Sequence, residues 1–134
     1  MADLLLPPNP QPGQTDPLVD IVEASAAVLA GQSVYRHSDT NYRPTEVSAT
    51  AEEAASAGIA LTPAASGEKF VRLYGGSYHD PTAQLTPGET YVVSDGGAIS
   101  PVGDLTTGDF TTILFVAIST TEATLILSAS GVQQ

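Results

Sequence analysis

The sequence predicts an all-β protein with one short helix: a small barrel or sandwich of two related units behind an extended proline-rich arm. Three observations carry that expectation. Leu85-Thr86-Pro87-Gly88 is a turn feeding the run Thr90-Tyr91-Val92-Val93, which stops at Asp95-Gly96-Gly97. Proline presets the first turn position, glycine accepts positive φ at the next, and β-branched and aromatic residues suit a pleated strand. Leu29 to Asp39 repeats the pattern around Gly31 and Ser33-Val34-Tyr35. Finally, shifting the chain by about 57 residues lays Gly31 on Gly88, Pro44 on Pro101 and Ala60 on Ala117, positions with conformational reasons to be kept.

Residues 1–18 form the arm. Pro7, Pro8, Pro10, Pro12 and Pro17 remove amide donors and restrict their predecessors, which excludes helix and central strand. Such a segment is either a solvated tail or, through Leu4, Leu5 and Leu6, an anchor that docks at small entropic cost. The β domain then covers 19–134, with repeat units near 24–76 and 81–131. Val19 to Val22 opens it as a first strand. Tyr42 to Val47 returns from the Leu29 unit, with Pro44 demanding an edge or bulge.

Ser48 to Gly58 is the helical candidate, with Ser48 or Thr50 as cap, acidic Glu52 and Glu53, an alanine run and a glycine stop. Strands follow at Gly58 to Leu61 and at Glu68 to Tyr74, where Phe70, Arg72 and Tyr74 share one face. Ser77 to Ala83 reads as a loop. Ala98 to Val102, Phe110 to Ile118 and Ala123 to Ser128 complete the second unit.

Composition narrows function. Fifteen acidic against four basic residues give a formal net charge of −11, and the basic ones are too scattered to neutralise phosphates, so neither nucleic acid nor an anionic membrane is expected as a partner. The start has no basic region before a long apolar run, and no apolar stretch approaches the ~20 residues that span a bilayer. The core draws on Ala, Val, Leu and Ile, with three Phe and neither Trp nor Cys. A core of that kind is stabilised by burying surface against further copies, so oligomerisation is expected.

Reactive constellations are missing. His37-Ser38-Asp39 holds the residue types of a triad, but consecutive residues cannot converge on one another. His79-Asp80 lacks further ligands, and Asp104 to Asp109 lacks the carboxylate spacing of a calcium loop. No cofactor, no metal and no enzymatic activity are expected.

The Leu-Thr-Pro-Gly-Glu-Thr-Tyr-Val-Val-Ser block at 85–94, Gly-Ala-Ile-Ser-Pro at 97–101, the Gly108-Asp109-Phe110-Thr111-Thr112 block and the Ala129-Ser130-Gly131-Val132 ending together resemble the capsid decoration, or cement, proteins of tailed phages. The resemblance spans residue 19 to the end and leaves the arm outside. It implies a structural virion protein on the capsid exterior, made in the host cytoplasm. Such a protein, commonly a homotrimer, clamps neighbouring subunits of the major capsid protein. On that reading Leu4, Leu5, Leu6, Pro7, Pro8, Pro10 and Pro12 form a capsid-binding arm, and Tyr35, Phe70, Tyr74 and Tyr91 lie at subunit interfaces. The alternative is a fibre or receptor-binding module presenting Ser77 to Ala83 to a host glycan.

Overall fold

The structure, a computed structural model, describes residues 4, 10–13, 16–46, 51–102 and 110–133. Eleven strands appear among them: β1 (Gln11–Pro12), β2 (Leu18–Glu23), β3 (Ser33–Arg36), β4 (Tyr42–Pro44), β5 (Gly58–Ala60), β6 (Lys69–Gly75), β7 (Ser77–His79), β8 (Thr90–Val93), β9 (Ile99–Pro101), β10 (Phe110–Ala117) and β11 (Glu122–Gln133). They form two antiparallel sheets, ordered β2-β6-β5-β3-β4 and β1-β7-β11-β10-β8-β9. The expected all-β class is therefore what the chain adopts. It takes the two-sheet form, without a ladder closing either sheet into a barrel.

Setting β1 aside, the two sheets have one topology. A shift of 57 residues carries the pair Val34↔Pro44 onto Tyr91↔Pro101, and Ser33↔Ile59 onto Thr90↔Val116. The preceding turns repeat as well. Gly31 N–H donates to the Ala60 carbonyl at 2.7 Å and Gly88 N–H to the Ala117 carbonyl at 2.8 Å, with φ of 90° and 84° at the two glycines. Such φ values suit glycine, which explains why both turn sites carry it. The units diverge at the next hairpin: Ile59 faces Leu73 across a long connection, whereas Val116 faces Thr124 across a short one.

The main core lies between the sheets, where Ile59, Leu61 and Leu73 of the first meet Tyr78, Leu85, Tyr91, Val93, Leu114 and Phe115 of the second. Each such side chain contributes about 1.5–3 kcal/mol on burial. A smaller cluster of Ala24, Val28, Val34, Tyr42, Ala60, Ala64 and Phe70 fills the hollow of the first sheet. That sheet curls until its two edges meet at a single bridge, Ala24 to Tyr42, where Ser25 N–H donates to the Tyr42 carbonyl at 3.0 Å.

In the second sheet the arm supplies the corresponding closure. Ile99 stands 57 residues after Tyr42, and its carbonyl accepts the Leu4 N–H at 2.7 Å, while Leu4 packs on the main core. Further along, β1 pairs with β7 on the opposite edge, in the register Gln11↔His79 and Pro12↔Tyr78. The arm thus reaches both edges of one sheet. A proline is tolerated in β1 because that strand is an edge.

Three local expectations change. The helix is a single turn, α1 (Ala51–Ala54), and its proposed caps Ser48 and Thr50 lie outside the described residues. Ser77 to His79 is a strand rather than a loop. Asp95-Gly96-Gly97 is a 3-10 turn that also docks on the first unit, with Gly97 N–H donating to the Thr45 carbonyl at 2.9 Å.

Candidate functional site

The surface that stands out is the outer edge of β2. Pro17 ends the arm, and Leu18-Val19-Asp20-Ile21-Val22-Glu23 then runs as a strand beside β6. Apart from the bridge of Ala24 to Tyr42 just past its end, no described strand pairs with its other side. Leu18, Val19 and Ile21 are 49%, 45% and 70% exposed. An edge strand normally avoids such aliphatics, because an open apolar edge templates pairing with another chain.

The carboxylates of β2 are matched from β6. Asp20 faces Arg72, whose Nη2 and Nε donate to the two carboxylate oxygens at 2.7 and 3.0 Å. The guanidinium lies between the rings of Tyr42 and Tyr74, 4.8 Å from each centroid, and Nη1 donates to the Tyr42 hydroxyl at 2.9 Å. Burial opposes the charge on Arg72, but the Asp20 hydrogen bonds and the electrostatic attraction of Tyr42, Asp20 and Tyr74 together outweigh it and hold the guanidinium above its ordinary pKa. Glu23 faces Lys69 and accepts a bond from Asn41 Nδ2 at 3.1 Å. The edge is thus locally neutralised and braced.

Of the four aromatic residues expected at subunit interfaces, three are inside the monomer. Tyr35, Phe70 and Tyr91 are each 2% exposed or less, so their rings are committed to the chain's own core. Alternation explains Phe70, which turns into the hollow of the first sheet, and the shared pattern explains Tyr91, which joins the main core. Tyr74 alone surfaces, next to the β2 edge. Of the expected arm contacts, Leu4 is tied to the second sheet, Pro10 is buried and Pro12 sits in β1. Leu5, Leu6, Pro7 and Pro8 lie outside the described residues.

A second feature is a cleft of about 360 Å³ between the β3–β4 hairpin and the Gly96 turn, lined by Gln32, Tyr35, Arg43, Glu46 and Glu53. Its polar groups largely bond one another. Gln32 Nε2 donates to the Gly96 carbonyl at 2.9 Å, Gly96 N–H donates to Glu46 Oε1 at 3.2 Å, and Arg43 Nε donates to Ser25 Oγ at 3.0 Å. The two bonds at Gly96 join the two units.

The residues weighed for chemistry are likewise engaged in structure. His37 Nδ1 meets the Tyr35 hydroxyl at 3.2 Å. The Asn41 N–H holds the exposed Asp39 carboxyl below its usual pKa. His79 pairs with Glu122. Buried Asp80 accepts from Thr82 N–H, Thr82 Oγ1 and Gln84 Nε2, which closes the Ser77 to Ala83 segment on itself. No group of three or more His, Asp or Glu side chains that could hold a metal occurs among the described residues. Among the same residues, no helix is long and apolar enough to cross a membrane.

Two antiparallel sheets, one of them with an apolar edge at Leu18–Glu23 that no described strand covers, define an all-β protein. No protein-family model and no curated protein matches the chain. Among solved structures it is similar to the N base of the head fibre gp8.5 of bacteriophage phi29, at 11% identity and a TM-score of 0.49, over 84% of this chain and 97% of that one. A likeness at that level carries no weight for function.

Proposed function

We propose that the protein is a structural component of a tailed-phage head, a decoration protein that binds the capsid exterior and joins neighbouring capsid subunits. The observation that carries this reading is the open edge of β2, where Leu18, Val19 and Ile21 are presented on a strand braced by the Arg72–Asp20 pair. The turn-and-strand blocks that resemble decoration proteins support it. A protein of this kind works by contact area: a capsid subunit held by an added clamp must break contacts to the clamp as well as to its neighbours before it leaves. Assembly into trimers belongs to the same proposal, since it would place three such edges on one capsid position.

Purified capsids lacking the protein provide the test. The proposal expects saturable co-sedimentation at a fixed ratio to capsid subunits and a higher capsid melting temperature. Recovery of all the protein in the supernatant would refute it.

A further inference from the structure

Among the described residues, main-chain pairs hold the arm to the second sheet. Leu4 N–H donates to the Ile99 carbonyl at 2.7 Å, Gly13 N–H donates to the Ser77 carbonyl at 2.8 Å, and β1 lies along β7 in the register Gln11↔His79 and Pro12↔Tyr78. Leu4 also packs on the main core. Residues 4–13 contain no charged side chain, so the arm of a second copy would bring no charge to this site. The same contacts form whichever copy supplies the arm.

With the contacts equal, the hinge decides. β1 ends at Pro12 and β2 begins at Leu18 in the other sheet, so residues 13–17 are all that link the arm to the first sheet. Among them Asp16 has φ 45° and stands directly before Pro17. Positive φ is disfavoured for a residue with a Cβ, and a following proline drives its predecessor toward the extended region. The bend is also pressed on the β6–β7 turn, where the missing Cβ of Gly76 makes room for the Asp16 carbonyl. A short hinge under strain favours exchange of the segment it tethers, because straightening relieves the strain while the docked contacts are regained on a neighbour.

We propose that the arm is exchanged between copies of this chain: Leu4 and β1 of one copy dock on Ile99 and β7 of another, with Asp16 extended between them. The arm is then the tie that holds the copies together. Such exchange requires no capsid.

The chain has no cysteine, so Gln11→Cys combined with His79→Cys places the only two thiols on facing residues of β1 and β7. The full chain carrying both is oxidised under native conditions, run on a non-reducing denaturing gel, and its disulfide located by peptide mass spectrometry. Sedimentation of the parent chain and of Asp16→Gly supplies a second measurement that leaves β1 and β7 untouched. Asp16 is exposed, so that substitution removes no core contact. Glycine relieves the bent hinge and should weaken association by about fivefold or more. The expected result is covalent multimers joined through positions 11 and 79, with weaker association of Asp16→Gly. A disulfide formed only within single chains, thiols left free after oxidation, or a parent chain that sediments as a monomer at every concentration overturns the exchange. Asp16→Gly associating as tightly as the parent overturns the strained hinge on which it rests. None of these results bears on capsid binding, which is measured separately.

Discussion

Arg72 and Asp20 meet in a bidentate pair across β2 and β6, with N–O distances of 2.7 and 3.0 Å, and the guanidinium is clasped by Tyr42 and Tyr74. The two ends of this pair differ in exposure, 14% for the Arg72 side chain against 38% for Asp20. Solvent screens the carboxylate and hardly reaches the guanidinium, so the cost of breaking the pair is unequal. Arg72→Ala also discards two ring contacts and the bonds to the Tyr42 hydroxyl and the Ala57 carbonyl. We expect it to cost about 2–4 kcal/mol and Asp20→Asn about 1 kcal/mol in urea unfolding. Equal effects of the two would show that the ring clasp adds nothing.

The Asp-Gly-Gly turn contains two glycines with similar backbone angles and different surroundings. Gly96 and Gly97 have φ of 70° and 76°, but a Cβ on Gly96 meets open space whereas one on Gly97 lies 2.9 Å from Gln32 Cβ and from the Ser33 carbonyl oxygen. Gly96→Ala should cost the backbone strain alone, about 1–2 kcal/mol. Gly97→Ala should cost about 3 kcal/mol or more, because the second unit must also be pushed off the first. Thermal melts of the two variants compare them, and a smaller loss at Gly97 would mean the contact between units gives way freely.

Tyr78 predicts a pH dependence. Its ring is stacked on Phe115 at 5.6 Å, and burial first, then the Asp80 carboxylate, pushes the phenol far above the ordinary tyrosine range. Unfolded tyrosine loses its proton near pH 10, so above that pH the unfolded chain binds one proton fewer at this site than the folded chain. The stability tied to Tyr78 is therefore whole below about pH 10 and is lost as pH rises, by about 1.4 kcal/mol per pH unit. Urea midpoints between pH 9 and 11 should fall less steeply for Tyr78→Phe than for the parent chain. Parallel curves would contradict the burial of a neutral phenol.

Thr40 is a β-branched residue at φ 69°, in the turn where its N–H donates to the His37 carbonyl at 2.9 Å. Positive φ is costly for such a side chain, and the residue is exposed. Thr40→Gly should raise stability by about 0.5–1 kcal/mol, read from the urea midpoint at constant slope. A lower midpoint would show that the side chain contributes more than its strain.

Much of the fold was legible from local chemistry, because the strands are bracketed by turns that glycine and proline write into the sequence. The offset that pairs Gly31 with Gly88 was visible for the same reason. What escaped depends on partners distant in sequence. Gln11–Pro12 is a strand only because His79 lies beside it, and Ser77–His79 is one only because Glu122 to Thr124 does. The burial of Tyr35 against the exposure of Tyr74 follows from which sheet face is covered, which alternation cannot say. The open edge was hidden in a plain first strand, since only the sheet order leaves β2, with Val19 and Ile21, at the rim.

The arm changes its part most. Leu4 and β1 complete the second sheet, so deleting residues 1–13 should lower the melting temperature by several degrees and expose the outer side of β7 to hydrogen exchange. An unchanged melt with β7 still protected would return the arm to the role of a free tether.

The central claim is that the chain attaches to a capsid through the edge of β2. Its most direct measurement is a co-sedimentation titration of capsids lacking the protein with the parent chain and with Ile21→Lys. The account predicts saturable binding of the parent and at least a tenfold weaker curve for the variant, both chains melting alike. Superimposable curves, or no binding by the parent, would contradict it.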